Sequence, residues 1–141
     1  MKIIDIKNHL HDKDVQEILS QSIYMPTEEK LNLCSSQYQS DESVSAFACI
    51  DEGVIIGIII IKTLTINSFE ILNLAVDPSF RGKGIGSSLI SSFIKNISHG
   101  KIFAETDDDA VGFYRNYGFN IKALPEKYPN CIRYLCTLIL P

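Results

Sequence analysis

Apolar residues recur along this chain with two different periods, and the points where the period changes divide it into elements. Isoleucines set among charged residues make Lys2 to Lys7 a short strand. Val15, Ile18, Leu19 and Ile23 follow the spacing of one helix face, which predicts a helix over residues 12–24. Pro26 suits the first turn of a second helix, with Glu28 and Glu29 favourable against its dipole and Leu31, Cys34 and Tyr38 on its apolar side. Ser35 to Ser43 is polar and rich in turn formers, and it reads as a loop. From Val44 the pattern turns β-like. Val44–Ile50, Val54–Thr65 and Phe69–Val76, broken at Asp51-Glu52-Gly53 and Asn67-Ser68, predict an antiparallel meander. Alternation in the third of these places Glu70, Leu72, Leu74 and Val76 on one face and Ile71, Asn73 and Ala75 on the other. A helix over residues 84–97 carries the stripe Ile85, Leu89, Ile90, Phe93 and Ile97, and Gly100 ends it. Lys101–Glu105 then forms a strand, and the helical crossover makes it parallel to Phe69–Val76. A short helix over 108–116 and strands at Phe119–Leu124 and Ile132–Leu140 complete a mixed sheet with helices on both faces.

The junction between the third meander strand and the long helix carries the most chemistry. Val76-Asp77-Pro78-Ser79-Phe80-Arg81-Gly82-Lys83-Gly84-Ile85-Gly86-Ser87 leads from strand to helix through alternating glycines and two cations. Glycine lets a backbone approach a ligand closely, and the first N–H groups of a helix have no internal partner. The helix dipole and the charges of Arg81 and Lys83 add to the attraction, so the loop suits an anion and a diphosphate in particular. The spacing is not that of a P-loop, which places four residues between its first glycine and a Gly-Lys pair followed by Ser or Thr. Nor is it Gly-x-Gly-x-x-Gly, because Gly82, Gly84 and Gly86 alternate.

Arg81-Gly82-Lys83-Gly84-Ile85-Gly86 instead resembles, at every position, the pyrophosphate loop of the GNAT superfamily of acyl-CoA N-acyltransferases, with Val76-Asp77-Pro78 upstream as in that superfamily. Ala110-Val111-Gly112-Phe113-Tyr114-Arg115-Asn116-Tyr117-Gly118-Phe119 resembles its C-terminal helix signature, Ala-x-x-Phe-Tyr-x-x-x-Gly-Phe. The resemblance implies an α/β (α+β) fold: a mixed, mostly antiparallel twisted sheet of about seven strands in the order β-α-α-β-β-β-α-β-α-β-β. It implies acetyl-CoA as cosubstrate and no metal. The cofactor would lie against Leu74, Ala75 and Val76, where that strand splays from the next parallel one, and against Arg81, Gly82, Lys83, Gly84, Ile85, Gly86 and Ser87. Tyr114 takes the place of the residue that protonates departing CoA, and a phenol of pKa about 10 can protonate a thiolate of pKa about 8.5 at small cost. Glu70 takes a position where several family members carry a general base; Glu105 or a chain of waters are the rivals. Asp107 stands where the family often has an Asn that contacts the CoA arm, and it equally suits a helix cap. Asn73, polar among apolar neighbours, either touches substrate or braces the backbone. The implied activity is transfer of an acetyl group to a primary amine of a small molecule or peptide by direct attack in a ternary complex. The alternative on the same fold is a non-catalytic CoA-binding sensor or interaction module.

Composition narrows the partners. A length of 141 residues predicts one domain over 1–141, and a net charge of −4 argues against nucleic acid or an anionic membrane as the main partner. The longest apolar run, Val54 to Ile61, is of strand length, and the charged N-terminus does not read as a signal peptide. Cys34, Cys49, Cys131 and Cys136 form no Cys-x-x-Cys pair, and His9, His11 and His99 show no zinc spacing. Reduced thiols and a cytoplasmic location are the expectation. Pairing of relatives through their C-terminal strands adds a homodimer to what the resemblance implies.

Overall fold

A computed structural model describes residues 1–141. The chain runs β1 (Lys2–Asp5), α1 (Lys13–Leu19), α2 (Glu28–Ser40), β2 (Val44–Asp51), β3 (Val54–Thr65), β4 (Ser68–Val76), α3 (Ile85–Ile94), β5 (Gly100–Thr106), α4 (Val111–Tyr117), β6 (Asn120–Ala123) and β7 (Tyr134–Leu140). The strands form a single seven-stranded sheet in the order β1-β2-β3-β4-β5-β7-β6. β4 and β5 are parallel, as the crossover through α3 requires, and the other neighbours are antiparallel. The predicted element order and mixed sheet are therefore both present.

Helices cover both faces of the sheet. Ile85, Leu89 and Ile90 of α3 and Val111 and Tyr114 of α4 pack with Ile59, Ile61, Phe69 and Ile71 on one side. Val15, Ile18 and Leu19 of α1 pack with Ala46, Ala48, Ile58 and Ile60 on the other. Burial from both sides explains why β3 reads as an unbroken apolar run: Ile56 to Ile61 is buried throughout.

The N-terminal half departs from the sequence reading. The first helix stops at Leu19, and Ser20–Ser22 tightens into a 3-10 turn in which Ser22 Oγ donates to Leu19 O at 3.0 Å. The second helix continues to Ser40, so the loop expected over Ser35–Ser43 shrinks to its last few residues. Its polar composition hid tertiary support. Ser35 is fully buried and Gln16 Nε2 donates to its hydroxyl at 3.2 Å, while Tyr38 reaches across to β4. Lys7 Nζ then donates to the carbonyls of Tyr38, Asp41 and Val44 at 2.6, 2.5 and 2.6 Å, placing a cation on the negative end of the helix. Lys7→Met is expected to cost about 2–3 kcal/mol, since it strips three carbonyls of a charged donor. Urea unfolding checks this, and an unchanged midpoint would remove Lys7 from that role.

β4 also breaks simple alternation. Asn73 pairs with Ile60 and Ile71 with Ile61, so Leu72 is an extra residue in a β-bulge. Leu74 and Val76 consequently join Phe69 and Ile71 on the α3 face, whereas Leu72 and Ala75 pack on the α1 face. Glu70 lies on that second face too, because Lys62, its direct partner on β3, reaches Asp41 at the end of α2. The expected grouping of Glu70 and Leu72 with Leu74 and Val76 is thus corrected by one inserted residue.

Candidate active site

The sheet opens in its middle. β4 and β5 pair only from Ser68–Lys101 to Glu70–Phe103. Beyond that point β4 continues to Val76 and β5 to Thr106 with no pairing between them, so a wedge opens with Glu70 at its apex. Leu74, Ala75 and Val76 line its β4 side. A strand edge released in this way offers backbone donors and acceptors to an extended ligand.

The loop closes the wide end of the wedge. Asp77 Oδ1 accepts from Ser79 N at 2.8 Å and starts a 3-10 turn over Pro78–Phe80. Gly82 (φ 75°) and Gly84 (φ 82°) then take left-handed backbone, and Gly84 caps α3. A Cβ would meet nothing within 4 Å at either residue, so conformation rather than space requires glycine there. Gly86 is different: a Cβ would sit 3.1 Å from the Phe113 ring, so its bareness lets α3 and α4 approach. The main-chain N–H groups of Gly82, Lys83, Gly84, Ile85, Gly86 and Ser87 donate to nothing within the protein; Ser88 is the first with an internal acceptor, Gly84 O at 3.0 Å. That run of unpartnered donors at the start of a ten-residue helix fits a diphosphate.

The two cations divide their work. Lys83 Nζ lies 5.2 Å from the centre of the Phe80 ring and stays at the loop surface. Arg81 folds back, with Nε donating to Val76 O at 3.1 Å and Nη2 to Gln21 Oε1 at 3.3 Å. It ties the end of β4 to the segment after α1.

Tyr114 lies on the α3 face of the sheet, in the cluster that holds Ala104 of β5 and Cys136 of β7. α4 buries its ring edge-on between Phe113 and Phe119, with centroids 5.2 Å away in each case. It lies near Cys136, which pairs with Ala104, the first β5 residue past the last β4 pair. Its hydroxyl bonds to no protein group yet is not sealed from solvent. Burial pushes the phenol above its ordinary pKa, so it is neutral at physiological pH and keeps a proton to give.

The remaining candidates separate clearly. Glu70 is half-buried and makes no hydrogen bond or ion pair with the protein. Glu105 is exposed and paired with Arg133 at 3.4 Å. Asp107 Oδ1 accepts from the amides of Asp109 and Ala110 at 3.1 Å each, a turn just ahead of α4 that occupies one carboxylate oxygen. Asn73 is buried and braces the fold: its Oδ1 accepts from Tyr38 Oη at 2.5 Å, and its Nδ2 donates to Ser22 Oγ at 2.9 Å. Tyr38 and Ser22 were not singled out from the sequence as site residues. The isolated tyrosine in a polar segment, one helical turn after Cys34, was the available sign.

All four cysteines are free; Cys49 and Cys136 are buried, as expected, and Cys131 is exposed. No three His, Cys, Asp or Glu side chains gather as a metal ion would require. No helix is long and apolar enough to cross a membrane.

A family model described as an acetyltransferase (GNAT) domain matches residues 42–121, more than half of the chain, and the chain belongs to that family. An uncharacterised protein from Mycobacterium leprae is 37% identical over 65 residues, which are 43% of this chain and 18% of that protein. The N-alpha-acetyltransferase RimI of Mycobacterium tuberculosis is 33% identical over 63 residues, 43% of this chain and 40% of its own length. The matches therefore span less than half of either relative. Among solved structures, an aminoglycoside 6'-N-acetyltransferase complexed with coenzyme A superposes with a TM-score of 0.79 at 16% identity, covering 100% of this chain and 98% of that one. This last likeness is one of fold.

Proposed function

We propose that residues 1–141 form one catalytic domain that transfers the acetyl group of acetyl-CoA to a primary amine of a small molecule or peptide. The observation that carries this reading is the run of unpartnered amides from Gly82 to Ser87 at the mouth of the β4–β5 wedge. The family membership and the coenzyme A complex of the aminoglycoside 6'-N-acetyltransferase support it.

When bound, acetyl-CoA supplies a thioester as acyl donor. The amides of residues 82–87, with Lys83 nearby, hold the diphosphate, and the free edge of β4 at Leu74–Val76 receives the extended arm. Glu70, at the apex and unpaired, takes a proton from the incoming ammonium, which frees the nitrogen lone pair to attack the carbonyl carbon. As the carbon–sulfur bond breaks, Tyr114 gives its proton to the leaving thiolate. The attacking nitrogen sheds its second proton, which restores Tyr114 through solvent, and Glu70 discharges its own to bulk water. A thiolate in a desolvated wedge is itself made more basic, and this offsets the raised pKa of the phenol.

Calorimetric titration with acetyl-CoA, followed by thiol release across a panel of primary amines, tests the reading. Binding without thiol release from any amine would favour the non-catalytic module and overturn it. Glu70→Gln is expected to lower kcat/KM at neutral pH by about a hundredfold, within the usual range for a general base, while Glu105→Gln changes it less than about threefold. The reverse pattern would transfer the role of base to Glu105.

A further inference from the structure

Behind Glu70, on the α2 face of the sheet, lies a hydrogen-bonded chain whose direction is fixed at every link. Leu19 O is a carbonyl and can only accept, so Ser22 donates to it at 3.0 Å. Ser22 Oγ then accepts from Asn73 Nδ2 at 2.9 Å, which orients the amide and aims its oxygen at Tyr38. That oxygen can only accept, so Tyr38 donates its hydroxyl proton to it at 2.5 Å. The phenol oxygen is left with lone pairs alone.

Glu70 shares this face, three residues before Asn73 and just before the bulge. The charged and titratable groups around the pair are few. Lys62, directly opposite Glu70, is turned to Asp41 at 3.4 Å, and the Cys34 thiol sits one helical turn before Tyr38. Burial, then Cys34 and Glu70, hold the phenol above its ordinary pKa, so it stays a neutral acceptor.

We propose that the Tyr38 phenol oxygen and the Glu70 carboxylate together seat the acceptor's ammonium, making Tyr38 a specificity-determining residue for primary aliphatic amines presented as cations. Two acceptors on one face of β4, neither with a donor to spare, call for a group rich in N–H. A primary ammonium gives one hydrogen to Glu70 and another to Tyr38. After the first is lost to Glu70, the second bond still holds the nitrogen with its lone pair free. Alcohols, arylamines and N-methylated amines offer fewer donors, less charge or both. This inference rests on the acetyl-transfer reading.

The test measures thiol release at saturating acetyl-CoA with putrescine, L-lysinamide, an alanine-initiated tripeptide and aniline. Tyr38→Phe is expected to raise KM for the best primary amine about tenfold, the scale of one hydrogen bond to a charged group, and to leave KM for acetyl-CoA within about twofold. In the unaltered protein, N-methyl, N,N-dimethyl and N,N,N-trimethyl forms of that amine should inhibit competitively with progressively weaker affinity. This second arm is independent of how any variant folds. An unchanged amine KM in Tyr38→Phe, acetyl-CoA KM rising in step with it, or equal inhibition by the trimethylammonium form would overturn the inference while acetyl transfer stands. Acetyl-CoA binding without thiol release from any amine would overturn the underlying reading and this inference with it.

Discussion

Tyr114→Phe is expected to lower kcat by about 10²- to 10³-fold, the usual contribution of a placed general acid, while KM for acetyl-CoA moves less than about twofold. The separation follows from how the residue is held. Phe113 and Phe119 pack on the ring, and phenylalanine keeps both edge-on contacts. The hydroxyl makes no bond within the protein, so its removal leaves no partner stranded. Thermal stability should therefore hold. The pH profile gives an independent sign. Burial raises the phenol's pKa, so its proton is lost only above the ordinary value of about 10. An acid limited by this group shows no alkaline fall in kcat up to about pH 9.5. Steady-state kinetics of both proteins from pH 6 to 9.5 decide the matter. Equal losses in kcat and in cofactor affinity would make Tyr114 a packing residue.

What could be read from the residues depended on how local the cause was. The glycine loop was legible because its requirements are local: positive φ at Gly82 and Gly84, and helix-terminal amides that no backbone partner can reach. The meander and the parallel crossover were legible from period and turn chemistry. The C-terminal part of the second helix, from Ser35 to Ser40, was not, because it is held by Lys7 and by the β4 contact of Tyr38, both remote in sequence. The bulge at Leu72 was invisible for a related reason. An inserted residue shows only against the partner strand, and it moved Leu74 and Val76 to the other face of the sheet. Arg81 showed its charge but not its direction, which is set by Val76 O and Gln21. At Asp107 the bonds to Asp109 and Ala110 close a turn just ahead of α4, whose N-cap, Ala110, has no side-chain cap bond.

The bulge also bears on how the site is built. Leu72 and Asn73 lie just past the last β4–β5 pair, so the strand kinks where the two strands part. Asn73 fastens that kink to the segment after α1 and to α2. The inserted residue thus falls where the wedge begins, with the polar chain behind its apex.

Gly84→Val is expected to abolish acetyl-CoA binding up to millimolar concentration, whereas Gly84→Asn keeps affinity within about tenfold, since asparagine tolerates left-handed backbone and a β-branched residue does not. Both side chains project into open space, because a Cβ at Gly84 meets nothing within 4 Å. A contrast between them therefore reports backbone conformation and not steric blockade. Valine costs about 1–2 kcal/mol at a φ of 82°, and the loop relieves this by rotating the peptide planes on either side. Rotation turns the amides of Lys83, Gly84 and Ile85 off their common target, and the donors act only as a converging set. Calorimetry with acetyl-CoA and with free coenzyme A measures the contrast, and thermal unfolding sets the strain apart from the loss of ligand. If valine and asparagine bind alike, the left-handed turn is not what holds the diphosphate, and the role assigned to the amides of residues 82–87 falls with it.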